Sequence, residues 1–91
     1  MTTVQFADVT ATTDSNGYFD FTFDNHIDAV VAGGNSPQSG QDVGVVGVSA
    51  VVTGDKSVKV RVWVTTASPD SWSVRAAASK QVEVTLIGLS V

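Results

Sequence analysis

His26 is the side chain of this sequence best suited to acid–base chemistry, because Asp24 and Asp28 flank it. An imidazole beside a carboxylate can move protons, but a hydrolase also needs an activated nucleophile within reach of that pair. The chain has no cysteine and no Gly-x-Ser-x-Gly motif, the sequence sign of an exposed nucleophilic serine. We therefore expect no enzymatic activity and interpret His26 as a surface residue at a corner. A small hydrolase is the least favoured alternative.

Acidic residues near the same histidine could also be considered as metal ligands. Calcium sites need several hard oxygen ligands at fixed loop spacing, and thiolate zinc sites need cysteine. Neither pattern occurs here, since the acidic residues alternate with residues typical of strands. We expect neither a metal nor another cofactor. The residues considered are Asp20, Asp24, His26, Asp28 and Asp42.

Two tryptophans and an arginine are the better candidates for binding. Trp63 is expected on a strand face with Arg61, where it either lies in a subunit interface, the favoured interpretation, or stacks on a ligand. Trp72 follows a loop at 68–70, and a core position and a ligand position are equally open for it. Arg61 is expected to pair with a carboxylate, and Glu83 is the candidate partner. These residue types indicate recognition of a sugar or a protein.

The element that must position Arg61 and Trp63 is a strand predicted from the alternation at 57–66. β-Branched residues occupy every second position, which is the clearest sequence signal of a half-buried strand. The same alternation predicts strands at 18–24, where three phenylalanines share a face, and at 80–91. On the central strand Val58, Val60, Val62 and Val64 form one face, and Lys59, Arg61, Trp63 and Thr65 form the other.

The remaining segments complete an all-β pattern of six or seven antiparallel strands, which favours a sandwich or barrel. Residues 14–17 and 54–56 predict turns, and 35–42 predict a long polar loop. A strand is predicted at 27–32, and another at 43–53, where glycines indicate either a bulge or a close approach of the backbone. Residues 71–78 fit either a strand or a short helix. We divide the chain into an N-terminal arm or edge strand, 1–13, and one sandwich domain, 14–91.

Composition excludes several classes of partner. The net charge is −4, so nucleic acid and anionic membrane surfaces are disfavoured. The first residues lack the basic and apolar regions of a signal peptide, and no apolar run is long enough to span a membrane. Only 15% of the residues are charged, well below the usual quarter. This low content indicates faces that are buried against other subunits.

Three segments together resemble a known family. Residues 17–23 combine a turn glycine with the aromatic strand, and 29–32 continue it with an apolar strand. Residues 58–63 read Val-Lys-Val-Arg-Val-Trp, and 82–88 read Val-Glu-Val-Thr-Leu-Ile-Gly. This order resembles the H-type-lectin-like domains of phage tail fibres and minor tail proteins. The resemblance covers residues 17 to 90, although the tryptophan that the family often carries in its closing strand is absent.

The resemblance implies a six-stranded antiparallel sandwich that forms a trimer and binds sugars between or at the ends of its subunits. We therefore expect a phage virion structural protein, a minor tail or fibre-tip component, that binds host-surface glycan. The alternative is a capsid or tail decoration or adaptor protein that binds other virion proteins and no sugar. An immunoglobulin-like module of a larger protein is also open, although a complete small protein is preferred. Ligand-binding candidates are Arg61, Trp72, Asn35, Gln38 and Asp42, and oligomer-interface candidates are Lys59, Trp63, Glu83 and Ile87.

Overall fold

The computed structural model describes residues 3–34, 44–68 and 71–91. Within these ranges the chain forms strands and no helix, which confirms the all-β prediction. The segment at 71–78, left open between strand and helix, is a strand as far as Ala76. No helix that could cross a membrane occurs in the described residues. The strands are β1 (Thr3–Thr12), β2 (Tyr18–Thr22), β3 (Ala29–Gly34), β4 (Gly44–Val52), β5 (Ser57–Ser68), β6 (Ser71–Ala76) and β7 (Gln81–Ser90).

The described residues form two antiparallel sheets. The first sheet has the strand order β1-β7-β3, and the second has the order β2-β5-β4. β6 pairs with the second half of β5, on the side where β2 pairs with the first half. Residues of both sheets meet in one hydrophobic cluster, so the arrangement is sandwich-like, as predicted.

The core lies between the sheets and follows the predicted alternation. The four valines at 58, 60, 62 and 64 are buried from the second sheet, and Val82, Val84 and Leu86 are buried from the first. Phe19 and Phe23 are buried with them, whereas Phe21 is only partly buried. Burial of apolar surface is the main favourable term in folding. The predicted inner faces of the two long strands are therefore confirmed.

The predicted turn at 14–17 leads into β2, which pairs with β5. An Asp14 carboxylate oxygen accepts hydrogen bonds from the backbone amides of Asn16 at 2.7 Å and Tyr18 at 3.0 Å. These bonds, the one from Tyr18 most of all, hold the pKa of Asp14 below its ordinary value. Gly17 has φ of +87°, and a Cβ there would lie 2.9 Å from the carbonyl oxygen of Val62. A residue with a side chain would be strained at that position.

The glycine-rich strand β4 contains the expected irregularity. Its register against β5 shifts between Val45 and Gly47, as in a β-bulge. Beyond the shift, Gly47 lies opposite Trp63, and a Cβ added to Gly47 would lie 3.7 Å from the indole ring. The missing side chain leaves the neighbouring strand open beside that ring.

Residues 3–12 contribute to the fold itself. β1 pairs with β7 over its whole length, from Thr3 opposite Ser90 to Thr12 opposite Gln81, and forms one edge of the first sheet. The side-chain amide of Gln5 reinforces this edge, because it donates to the Asn25 carbonyl and accepts from the Asn25 amide, each at 3.1 Å. The predicted polar loop at 35–42 lies outside the described residues.

Candidate functional site

A row of cationic and aromatic side chains lies on the outer face of the second sheet. The guanidinium carbon of Arg61 lies 4.9 Å from the ring centre of Tyr18 and 5.2 Å from that of Trp63. The ammonium of Lys59 lies 5.4 Å from the same Tyr18 ring. These four residues are called the outer row below. Their distances are those of cation–π contacts, which hold each long side chain against a ring.

The backbone explains why these side chains meet. Tyr18 lies directly opposite Arg61 in the β2–β5 pair, and Trp63 follows Arg61 by two residues on the same face of β5. The Nε–H of Arg61 donates to the carbonyl oxygen of Asn16 at 3.2 Å. The turn at 14–17 therefore sets both the position of Tyr18 and the orientation of the guanidinium.

The cations of the outer row form no ion pair among the described residues, where the only ion pairs are those of His26. The charge of Lys59 does act on Asp14, whose pKa is lowered first by backbone hydrogen bonds and also by this charge. The predicted pair between Arg61 and Glu83 is wrong. Arg61 belongs to β5 in the second sheet, whereas Glu83 belongs to β7 in the first. Both side chains are on the outer side of their own sheet, so the core lies between them. Alternation within each strand was predicted correctly, but it did not reveal which strands are neighbours.

The chemistry of the outer row is that of a recognition surface. Tyr18, Arg61 and Trp63 are half-buried, and Lys59 is exposed. Apart from its bond to Asn16, the guanidinium makes no hydrogen bond to the described residues, so its terminal amines can donate to a ligand. Tyrosine, tryptophan and arginine are the residue types that most often dominate binding energy at interfaces.

The structure describes only part of the other residues that were predicted to bind a ligand. Asn35, Gln38 and Asp42 lie outside the described residues. The backbone of Trp72 is in β6 opposite Ala67, and its side chain lies outside the described part. Tyr18 was not a predicted site residue. The signal that identifies it is its register opposite Arg61, which becomes visible only when β2 and β5 are paired.

The interface candidates divide between two opposite faces. Lys59 and Trp63 belong to the outer row, whereas Glu83 and Ile87 lie on the outer face of the first sheet. Ile87 is at the centre of that face, with Phe6 beside it on β1 and Val31 beside it on β3.

The outer face of the first sheet around Ile87 is apolar and open to solvent. Phe6 is 75% exposed and Val31 is 54% exposed. The next row along the strands adds Val4, Leu89 and Ala29. We call these six residues the apolar face. Contiguous exposed apolar residues of this kind usually mark a contact with another molecule.

His26 joins two carboxylates at one end of the sandwich. Its Nδ1 lies 2.5 Å from an Asp55 carboxylate oxygen, and its Nε2 lies 2.8 Å from an Asp28 carboxylate oxygen. The other oxygen of Asp28 accepts from the backbone amide of Val91 at 2.8 Å. We call this cluster the histidine clasp. It connects the β4–β5 turn to the residues that precede β3 and follow β7.

The clasp favours protonated histidine, because ionised carboxylates can only accept hydrogen bonds. The bonds to Asp55 first, and then to Asp28, raise the pKa of His26 above 6.5. The bond from Val91 first, and then that from His26, lower the pKa of Asp28. No group of residues in the described ranges is arranged to hold a metal ion. This geometry suits a cluster that stabilises the fold by connecting separate segments of the chain.

Comparison with known proteins identifies no relative. No protein-family model, curated protein sequence or solved structure matches this chain. The fold and its surfaces define a small antiparallel sandwich with a cationic, aromatic outer row on one sheet and an apolar face on the other. The case for a function therefore depends on the chemistry of these two faces.

Proposed function

We propose that this protein is a non-enzymatic structural component of a phage virion, at a tail fibre tip or in a minor tail protein, and that it binds host-surface glycan. The observation that carries the proposal is the guanidinium of Arg61 within cation–π distance of both Tyr18 and Trp63. The sequence resemblance to H-type-lectin-like domains supports the virion assignment. The resemblance implies sugar contact by Arg61 and Trp72, and Arg61 is the one of the two whose side chain is described.

The outer row suits a saccharide for two reasons. Sugars present hydroxyl groups that accept hydrogen bonds, and the terminal amines of Arg61 can donate them. Sugars also present C–H surfaces, and the half-buried rings of Tyr18 and Trp63 offer apolar surface next to those donors. Stacking holds the three side chains in place before a ligand arrives, which reduces the entropy lost on binding.

The apolar face supports the proposal that the protein is an oligomer. The occupant that we propose is a second copy of this chain, arranged so that the first sheets of three copies face a common axis. The low charged content of the sequence supports the same conclusion. Such an assembly would leave the outer rows on the outside, where each could reach a host surface. It would also present several identical sites at once, which strengthens binding through avidity.

A glycan array tests this function directly. We expect the unmodified protein to bind a restricted set of glycans and Arg61→Ala to lose that binding. Arg75→Ala is the matched control, because Arg75 is an exposed arginine of the same sheet whose backbone pairs with Val64, outside the outer row. Equal binding by Arg61→Ala and the unmodified protein would contradict the proposed site.

A decoration or adaptor protein that binds other virion proteins is the second candidate function, and the exposure of Phe6 favours it. On this account the apolar face contacts a different virion protein, and no sugar is bound. Deletion of residues 1–13 is a poor test, since β1 is an integral strand of the first sheet. Phe6→Ser is the better variant. It should abolish attachment to particles while leaving the protein folded and its native mass unchanged.

A further inference from the structure

We infer that the glycan recognised by the outer row is anionic and carries a carboxylate, as uronic and sialic acids do. This inference rests on the proposed function and adds the chemical class of the ligand. It begins with a contrast in charge. The chain has nine acidic and five basic residues, yet the outer row contains two cations side by side on β5.

Neither cation forms an ion pair within the described residues, although the charge of Lys59 adds to the backbone hydrogen bonds that lower the pKa of Asp14. Asp20 lies opposite Lys59 in the β2–β5 register, but the two groups do not form an ion pair. Among the described residues, the partners of the Arg61 guanidinium are a neutral backbone carbonyl and two uncharged rings. An arginine with an open cationic end on an otherwise acidic protein attracts an anion, and the surrounding acidic residues select against large polyanions.

The geometry of the guanidinium favours a carboxylate in particular. Its Nε–H is committed to Asn16, whereas the terminal amines have no partner in the described residues. Planar guanidinium groups bind carboxylates through paired, charge-assisted hydrogen bonds. The rings of Tyr18 and Trp63 both lie within cation–π distance of the guanidinium, and they can contact the sugar ring that carries the acid. Lys59 adds a second positive charge at the same place.

Galacturonate and galactose are a suitable pair of probes, because they differ only in a carboxylate or a hydroxymethyl group at one carbon. Titration would be followed by the indole N–H signal of Trp63 in NMR spectra of the full chain. We expect galacturonate to bind about tenfold more tightly than galactose at low salt, the effect of one charge-assisted interaction. High salt should reduce this preference. Arg61→Gln should remove it, Lys59→Gln should weaken it, and the control Arg75→Gln should leave it unchanged.

The other outcomes separate the inference from the function on which it rests. Equal binding of both sugars through Arg61 would overturn the anionic ligand and preserve glycan binding. Acetate binding as tightly as galacturonate would also overturn it, because the site would then recognise an anion and no sugar. If neither sugar changed the Trp63 signal and the array showed no bound glycan, the proposed function itself would fail.

Discussion

The environment of the Arg61 side chain is formed largely by residues that are distant in sequence. Tyr18 faces it across the β2–β5 pair, and the carbonyl of Asn16 holds its Nε–H. Sequence analysis correctly placed Arg61 and Trp63 on one strand face, because alternation within a strand is a local property. It missed Tyr18 and wrongly assigned Glu83 as a partner, because pairing between strands depends on the whole topology.

His26 gives the stability of the protein a defined pH dependence. Its pKa is raised in the folded state above the ordinary value of 6.5. The stability contributed by protonated His26 is therefore fully present below pH 6.5, as long as Asp28 is ionised, and is lost as the pH rises through the folded pKa of His26. We expect the melting temperature, measured by circular dichroism, to fall as the pH rises from 6.5 through the folded pKa of His26. An NMR titration of His26 gives that folded pKa.

His26→Asn is the control for this titration, because it removes the charge and keeps a polar side chain at the corner. The variant should lack the fall in melting temperature across the same interval. A folded pKa of His26 below 6.5 would show that the clasp does not hold the protonated form.

Gly17 gives a second test at the scale of the residue. Gly17 has a positive φ, and a Cβ there would come too close to the Val62 carbonyl oxygen. Gly17→Ala should therefore lower the free energy of unfolding by about 1 kcal/mol or more. Gly33→Ala is the matched control, since a Cβ at Gly33 meets nothing within 4 Å. Urea denaturation measures both. Equal effects at the two positions would contradict the turn geometry.

At the scale of the element, β5 organises the second sheet. It pairs with β2 and β6 on one side and with β4 on the other. Its valine alternation predicted both faces correctly. The state of segment 71–78 could not be decided from sequence, because its alanine run suits a short helix as well as a strand. The hydrogen bonds to β5 stabilise this segment as the strand β6, because tertiary context often overrides local propensity.

The inner face of β5 should be sensitive to loss of volume. Val62 is fully buried, so Val62→Ala should lower the free energy of unfolding by about 2 kcal/mol through lost burial and a residual cavity. Val51→Ala removes the same atoms from a residue that is 62% exposed and should change stability by less than about 0.5 kcal/mol. Equal losses in denaturant unfolding would contradict the assignment of Val62 to the buried face and of Val51 to the exposed one.

At the scale of the whole molecule, the two outer faces differ in kind. The second sheet presents cations and aromatic rings, and the first presents apolar side chains around Ile87. Sequence analysis anticipated subunit contacts from the low charge and included Ile87 among their residues. It could not separate the two faces, since Lys59, Trp63, Glu83 and Ile87 fall on different sheets. The proposed oligomer uses the first sheet and leaves the outer row free.

Native mass tests that arrangement. We expect light scattering to give a trimer for the unmodified protein and a monomer for Phe6→Ser, because the substitution removes the most exposed aromatic group of the apolar face. Val74→Ser is the matched control, as Val74 is an exposed residue of β6 in the second sheet. If the unmodified protein were a monomer at all concentrations, the proposed trimer would be contradicted. Loss of the trimer in Val74→Ser would place the contact on the second sheet instead.

The most direct test of the central claim is to map a bound glycan onto the backbone by NMR, with a glycan selected from the array. We expect the largest shifts at the amides of Tyr18, Arg61 and Trp63 and at Ser49, which lies opposite Arg61 on β4. The amides of Phe6 and Ile87 should stay unchanged. Shifts confined to the first sheet, or spread evenly over the protein, would contradict a glycan site at the outer row.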